Sequence, residues 1–152
     1  MTFQPRVKTA LACEMAQLNR DRFNEAVAAN FYPCAPETRP GSSRIFSIED
    51  CVALYIYARL IDDGVPPNRA GAMICEVFLP ELRAGALEPP EHVMEVRTSG
   101  SRFLTTLIEL SATHYGNMPV QYLRIWPVGN IRRQIIARLK YEFEQSPILG
   151  DD

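Results

Sequence analysis

Three things are scarce in this chain of 152 residues: long apolar runs, surplus positive charge and closely spaced cysteines. No run approaches the roughly 18–20 uncharged apolar residues needed to span a bilayer. Met1-Thr2-Phe3-Gln4-Pro5-Arg6 leads into no apolar signal core, so the expected address is the cytoplasm. The formal net charge is −2, which denies the chain the simplest signature of a nucleic-acid binder. Cys13, Cys34, Cys51 and Cys75 lie 21, 17 and 24 residues apart, and none of these separations fits a C-x2–4-C zinc site. They are expected to be reduced, buried thiols acting as small hydrophobes. His92 and His114 stand alone, without a Cys or acid at ligand or catalytic spacing. No phosphate-cradling Gly loop, nucleophile elbow or H-E-x-x-H occurs. The expectation is a non-enzyme with no metal and no cofactor.

The composition is that of a globular protein, 47% hydrophobic and 22% charged, and the length suffices for one full core or two small ones. Residues 6–44 carry six cations against four carboxylates, a local excess of +2. A basic contact face is compatible with net acidity, because charges are screened beyond about 8–10 Å.

The periodicity predicts a first helix over 9–17, capped by Thr9, with Leu11, Ala12, Met15 and Ala16 on one stripe. Leu18-Asn19 makes a short turn, and Asn19 caps a second helix from Arg20 to about Ala29. Its Phe23, Ala26 and Val27 point inward. Between Phe31 and Ser43, Pro33, Pro36, Pro40 and Gly41 exclude a helix. Arg44-Ile45-Phe46 is a short extended piece. Ser47 and Asp50 resemble a capping box opening a third helix that ends near Asp62 at Asp63-Gly64. Val65-Pro66-Pro67 is a rigid link, Asn68 caps a fourth helix, and Pro80 limits it. Residues 84–92 read as a linker.

The last third reads as three antiparallel strands, His92–Arg97, Phe103–Leu110 and Val120–Trp126, with a turn at Thr98-Ser99-Gly100-Ser101. A final helix runs from Gly129-Asn130 to about Glu144. The predicted class is α+β in two domains. Residues 8–83 form a mostly helical winged helix-turn-helix, and residues 92–146 a small antiparallel sheet plus helix.

Residues 8–80 resemble the DNA-binding domain of the MerR family. A first helix leads through Leu18-Asn19 into a second, where that family has a Val-Ser before its recognition helix. A proline-containing loop follows. Arg44-Ile45-Phe46-Ser47 stands where the family has Arg, any residue, an aromatic and Ser/Thr, with an acidic residue three later. The 48–62 helix then ends in Asp-Gly before another helix. The family's Leu-Arg-Tyr-Tyr-Glu is Phe23-Asn24-Glu25-Ala26-Val27 here, so Asn24 replaces its DNA-contacting Arg. The long coiled-coil helix that follows in the family is missing.

The resemblance implies a sequence-specific transcription regulator that grips double-stranded DNA as a homodimer. Asn19, Arg20, Arg22 and Asn24 would face the major groove, where Arg suits guanine and Asn suits adenine. Arg39, Ser42, Ser43 and Arg44 would form the wing on the phosphates. The plainer alternatives are a solvated helix face, with Asp21 and Glu25 pairing the arginines, and an ordinary surface loop. Tyr55 and Tyr57 are expected mainly in the core, with phosphate contact the lesser alternative. On the final helix Ile131, Ile135, Leu139 and Phe143 are either a packing stripe on the sheet or a dimer seam. Arg132 and Arg133 sit in its first turn, where the dipole disfavours cations. That points to an outside anion or acidic partner, or to internal salt bridges. Phe103, Tyr122 and Trp126 are core rings or line a pocket. The C-terminal domain would serve dimerisation, a protein partner or a small-molecule effector. Two other functions fit the same residues: an excisionase-like DNA-bending factor, and a protein-interaction module that has lost DNA binding.

Overall fold

The computed structural model describes residues 3–38, 40–85, 88–106, 108–109 and 111–145. The fold is α+β. Strand β1 (Val7–Lys8) runs into helix α1 (Thr9–Ala16), and α2 (Arg20–Ala28) follows after a tight turn. Strand β2 (Ile45–Phe46) pairs antiparallel with β1, Val7 opposite Phe46 and Lys8 opposite Ile45. Helix α3 (Ile48–Asp62) is central, and α4 (Pro67–Met73) continues through one π-helical turn (Ile74–Phe78) into α5 (Leu79–Ala84). A four-stranded sheet comes next, then α6 (Val128–Gln145). No helix among the described residues is long and apolar enough to cross a membrane.

Local chemistry explains several boundaries. Gln17 adopts a left-handed conformation and closes α1, and the Asn19 side chain then accepts from the Arg22 backbone N–H at 3.0 Å. Such a cap is worth about 1 kcal/mol. Ser47 and Asp50 form a reciprocal capping box at the start of α3, their two bonds 2.9 and 3.1 Å long. Arg83 adds an ion pair to the buried Asp50 at 2.8 Å.

Other expected boundaries shift. Thr9 lies inside α1 and is buried; Lys8 occupies the cap position without a side-chain bond. Asn68 likewise lies inside α4, which starts with Pro66 at the cap and Pro67 in its first turn, where proline's missing N–H is harmless. Pro80 does not stop the helical run. In an α-helix its ring would meet the carbonyl four residues back. The π turn adds a residue just before it, with the Leu79 N–H bonded to the Ile74 carbonyl, and the chain stays helical to Ala84.

The sheet order is β4 (Arg102–Thr105), β3 (Val93–Thr98), β6 (Met118–Trp126), β5 (His114–Tyr115), all antiparallel. β4 ends at Thr105, short of the Phe103–Leu110 strand that the sequence predicts; Leu107 and Leu110 lie outside the described residues. One buried core runs across both halves of the chain. Leu54, Ile56 and Leu60 of α3 share it with Val93, Leu104, Trp126, Ile131, Ile135 and Leu139.

Within that core the sheet carries a carboxylate. Glu95 on the central strand is fully buried. Arg102 meets it at 2.9 Å and Arg124 at 3.3 Å, and the Trp126 indole N–H donates to it at 3.1 Å. Arg124 also reaches Asp63 at the end of α3 at 2.6 Å, which ties the sheet to the helices.

Candidate nucleic-acid interface

Packing sets the pose of α2. Phe23 is its buried anchor, with ring centroids 5.9 Å from Phe46 on β2 and 5.6 Å from Tyr32. Tyr32 in turn meets Tyr57 of α3 at 4.7 Å. These rings fix the helix, the chain leaving it and the β1–β2 ribbon against one another. Tyr57 is therefore a core residue at 2% exposure, and burial pushes its phenol above the ordinary value. Tyr55 is half-buried beneath the Arg59 guanidinium, 4.9 Å from its ring centre.

With Phe23 turned inward, Arg20 and Asn24 project together, one helical turn apart. They share a shallow cleft of about 410 Å³ with Thr38, Ser43, Arg44, Thr9 and Asp21. Arg44 is part-buried and its guanidinium donates to the Pro36 carbonyl oxygen, so it closes the loop between α2 and β2 on itself. Gly41 supplies a positive φ of 77° in that loop, which glycine adopts without strain. Ser42 is exposed beside it. Arg39 lies outside the described residues.

The α2 candidates separate into two groups. Asn19 spends its side-chain oxygen on the cap. Arg22 faces a second groove, of about 620 Å³, whose walls include Leu18, Ala29, Phe31 and Pro67. Arg20, Asn24, Ser43 and Arg44 are the candidates that the fold brings together.

Charge pairing sets the arginines of α2 and its loop apart from most others. Among the described residues, ion pairs engage Arg59, Arg83, Arg102, Arg124, Arg132, Arg133 and Arg138. None engages Arg20, Arg22 or Arg44, although Asp21 and Glu25 sit on the same helix. The alternative reading, in which those carboxylates pair with the arginines at i+3 or i+4 spacing, has no such ion pair among the described residues. Arg6, Lys8, Arg69, Arg97 and Lys140 also lack an ion pair among the described residues, but they do not line this cleft.

The final helix bears on two pairs of alternatives. Its first-turn cations have internal partners: Arg132 reaches Glu49 at 3.4 Å and Arg133 reaches Glu91 at 2.9 Å. Arg138 joins Glu14 of α1 at 2.7 Å and Glu142 at 2.8 Å. No outside anion is needed to explain them. Ile131, Ile135 and Leu139 are buried within the single chain, at 8%, 5% and 0% exposure. Their apolar surface is spent on the core they share with α3, so they are not free to form a seam. Phe143 alone of that stripe stays open, at 51%, edge-on to Phe3 at 6.1 Å.

The C-terminal rings divide similarly. Trp126 is buried, Tyr122 is 44% exposed, and Phe103 packs on Tyr115 at 4.7 Å. The cysteines depart furthest from expectation. Cys13 and Cys51 are free and buried, as small hydrophobes would be, but Cys34 and Cys75 are joined by a disulfide. A pairing across 41 residues leaves no local trace in the sequence. No family model and no curated protein matches this chain.

Proposed function

We propose that the chain is a sequence-specific DNA-binding regulator that holds a duplex between α2 and the loop preceding β2. One observation carries the reading: Arg20 and Asn24 line the same cleft as Ser43 and Arg44, while the arginines elsewhere are mostly neutralised. In a duplex complex, Arg20 and Asn24 would meet base edges, for which both have the donors. Ser43 and Arg44 would hold the adjacent phosphate backbone, which positions the protein without reading sequence. Asp21 at the cleft would disfavour phosphate and favour a base donor such as the cytosine amino group. The MerR-like order of elements supports the same assignment of recognition helix and wing.

The reading places the protein in the cytoplasm with its DNA. As a homodimer it would read two half-sites about one helical turn, or a multiple, apart. The seam would then use surface other than Ile131, Ile135 and Leu139.

Titration with random-sequence duplex at several salt concentrations tests this. Affinity is expected to fall steeply with salt, because phosphate contacts release counterions. Arg44→Ala is expected to weaken all duplexes alike and to lower the salt slope by about 1. No binding at low salt would favour a protein-interaction module instead. Sequences selected from a random pool would separate a palindromic operator from an attachment-type site.

A further inference from the structure

The loop that carries Ser43 and Arg44 is fastened at its other end by sulfur. Phe31 and Tyr32 lead from α2 across α4, where Gly71 admits the chain. A Cβ at Gly71 would sit 1.6 Å from the Phe31 carbonyl oxygen. Four residues on, Cys75 falls in the π turn on the same side of the helix. The chain from Phe31 thereby brings Cys34 over it, with the two Cα atoms 5.3 Å apart, inside the usual disulfide range. The Cys34 backbone N–H donates to Cys75 Sγ at 3.3 Å. Both residues of the pair are half-buried, at the edge of the core rather than sealed inside it.

The other two cysteines offer a contrast within the same chain. Cys13 and Cys51 are 2% exposed. Burial pushes the Cys13 thiol up to about 11 and the Cys51 thiol higher still. Thiols held protonated in this way are poor nucleophiles.

We propose that Cys34 and Cys75 are a thiol–disulfide exchange site, oxidised by low-molecular-weight disulfides, that sets how firmly the Ser43–Arg44 loop is held against the helices. This rests on the duplex reading above, for two reasons. A DNA-binding protein works among reducing thiols, where disulfides are rare and those that form are usually catalytic or sensory. The segment that this bond ties down is also the one assigned to the phosphates.

In the reduced chain Cys75 is the attacking sulfur, because the Cys34 N–H is placed to stabilise its thiolate. The thiolate attacks one sulfur of the small disulfide, whose S–S bond breaks. The first small thiol leaves with the proton lost by Cys75. Deprotonated Cys34 then attacks Cys75 Sγ, the protein disulfide forms, and the second small thiol leaves with the Cys34 proton. The protein thiols lose two electrons and the small disulfide gains them.

Adding glutathione disulfide to the fully reduced full chain tests this, with mass spectrometry as the readout. The expected product has two fewer hydrogens and bonds Cys34 to Cys75, with Cys13 and Cys51 still free. Cys34→Ser should accumulate a glutathione adduct on Cys75. Cys75→Ser should acquire one on Cys34 at least several-fold more slowly. Reduction should speed proteolysis within residues 33–44 several-fold and lower duplex affinity several-fold.

The proposal is overturned if glutathione disulfide leaves the pair reduced, or if the bond survives millimolar reduced glutathione as a permanent staple. Equal duplex affinity of the two forms overturns it as well. A chain that binds duplex in neither form sinks the function proposed above, and the exchange site is then decided by the mass and cleavage readouts.

Discussion

Two regions of this molecule hold arginine and use it in opposite ways. In the sheet and α6, Arg102, Arg124, Arg132, Arg133 and Arg138 end on carboxylates of the same chain, with Arg97 of β3 the exception among the described residues. Several of those pairs cross between elements, so charge there secures tertiary structure. On α2 and its loop, Arg20 and Arg44 line an open cleft and form no ion pair among the described residues. The difference teaches that the chain's net charge of −2 is a poor guide to how its charge is placed. On the proposed reading, the cations that would meet DNA are among those its own carboxylates leave unmatched.

The comparison breaks most visibly at Glu95. Removing this buried carboxylate takes the ion-pair partner from Arg102 and the acceptor from the Trp126 indole N–H, and Glu95→Ala is expected to cost about 3–5 kcal/mol of stability. Urea denaturation would measure it. A loss well under 1 kcal/mol would mean that the sheet's charges do not hold the fold.

Asn24→Ala probes the other side of the contrast. It is expected to leave stability nearly unchanged and to relax base preference by about 1–3 kcal/mol at one position of a selected site. An unchanged preference would remove Asn24 from the recognition surface.

The smallest expected effect is at Arg133, whose pair with Glu91 lies in open solvent. Its hydrogen bond lowers the Glu91 carboxyl below the usual value. The stabilisation is present above that usual range and is lost as pH falls through the lowered value. Solvent screens such a pair, so Arg133→Ala should leave the denaturation midpoint unchanged from neutral pH down to the acid limb. A clear drop would show that even exposed pairs in this half are structural.

These two kinds of charge differ in how far the sequence reveals them. The Asn19 cap and the Ser47–Asp50 box are legible because each closes within three residues. The α2 stripe and the loop before β2 follow from periodicity and prolines. What was hidden depends on register or on distant chain. Glu95 looks out of place in an apolar strand until β4 and β6 bring Arg102 and Arg124 beside it. Cys34 and Cys75 meet only because Gly71 lets the chain close on α4. The stripe of α6 is plain in the sequence, but the surface it covers, α3, is not. Arg22 and Arg20 are equivalent in the sequence, whereas the fold turns them into different grooves.

Backbone amide shifts, followed by NMR while duplex is added at low salt, test the central claim most directly. The account predicts that amides of residues 20–28 and of the loop ending at Arg44 move first and furthest, with the sheet from Val93 to Trp126 nearly silent. Shifts centred on the sheet or α6, or none at all, would contradict it.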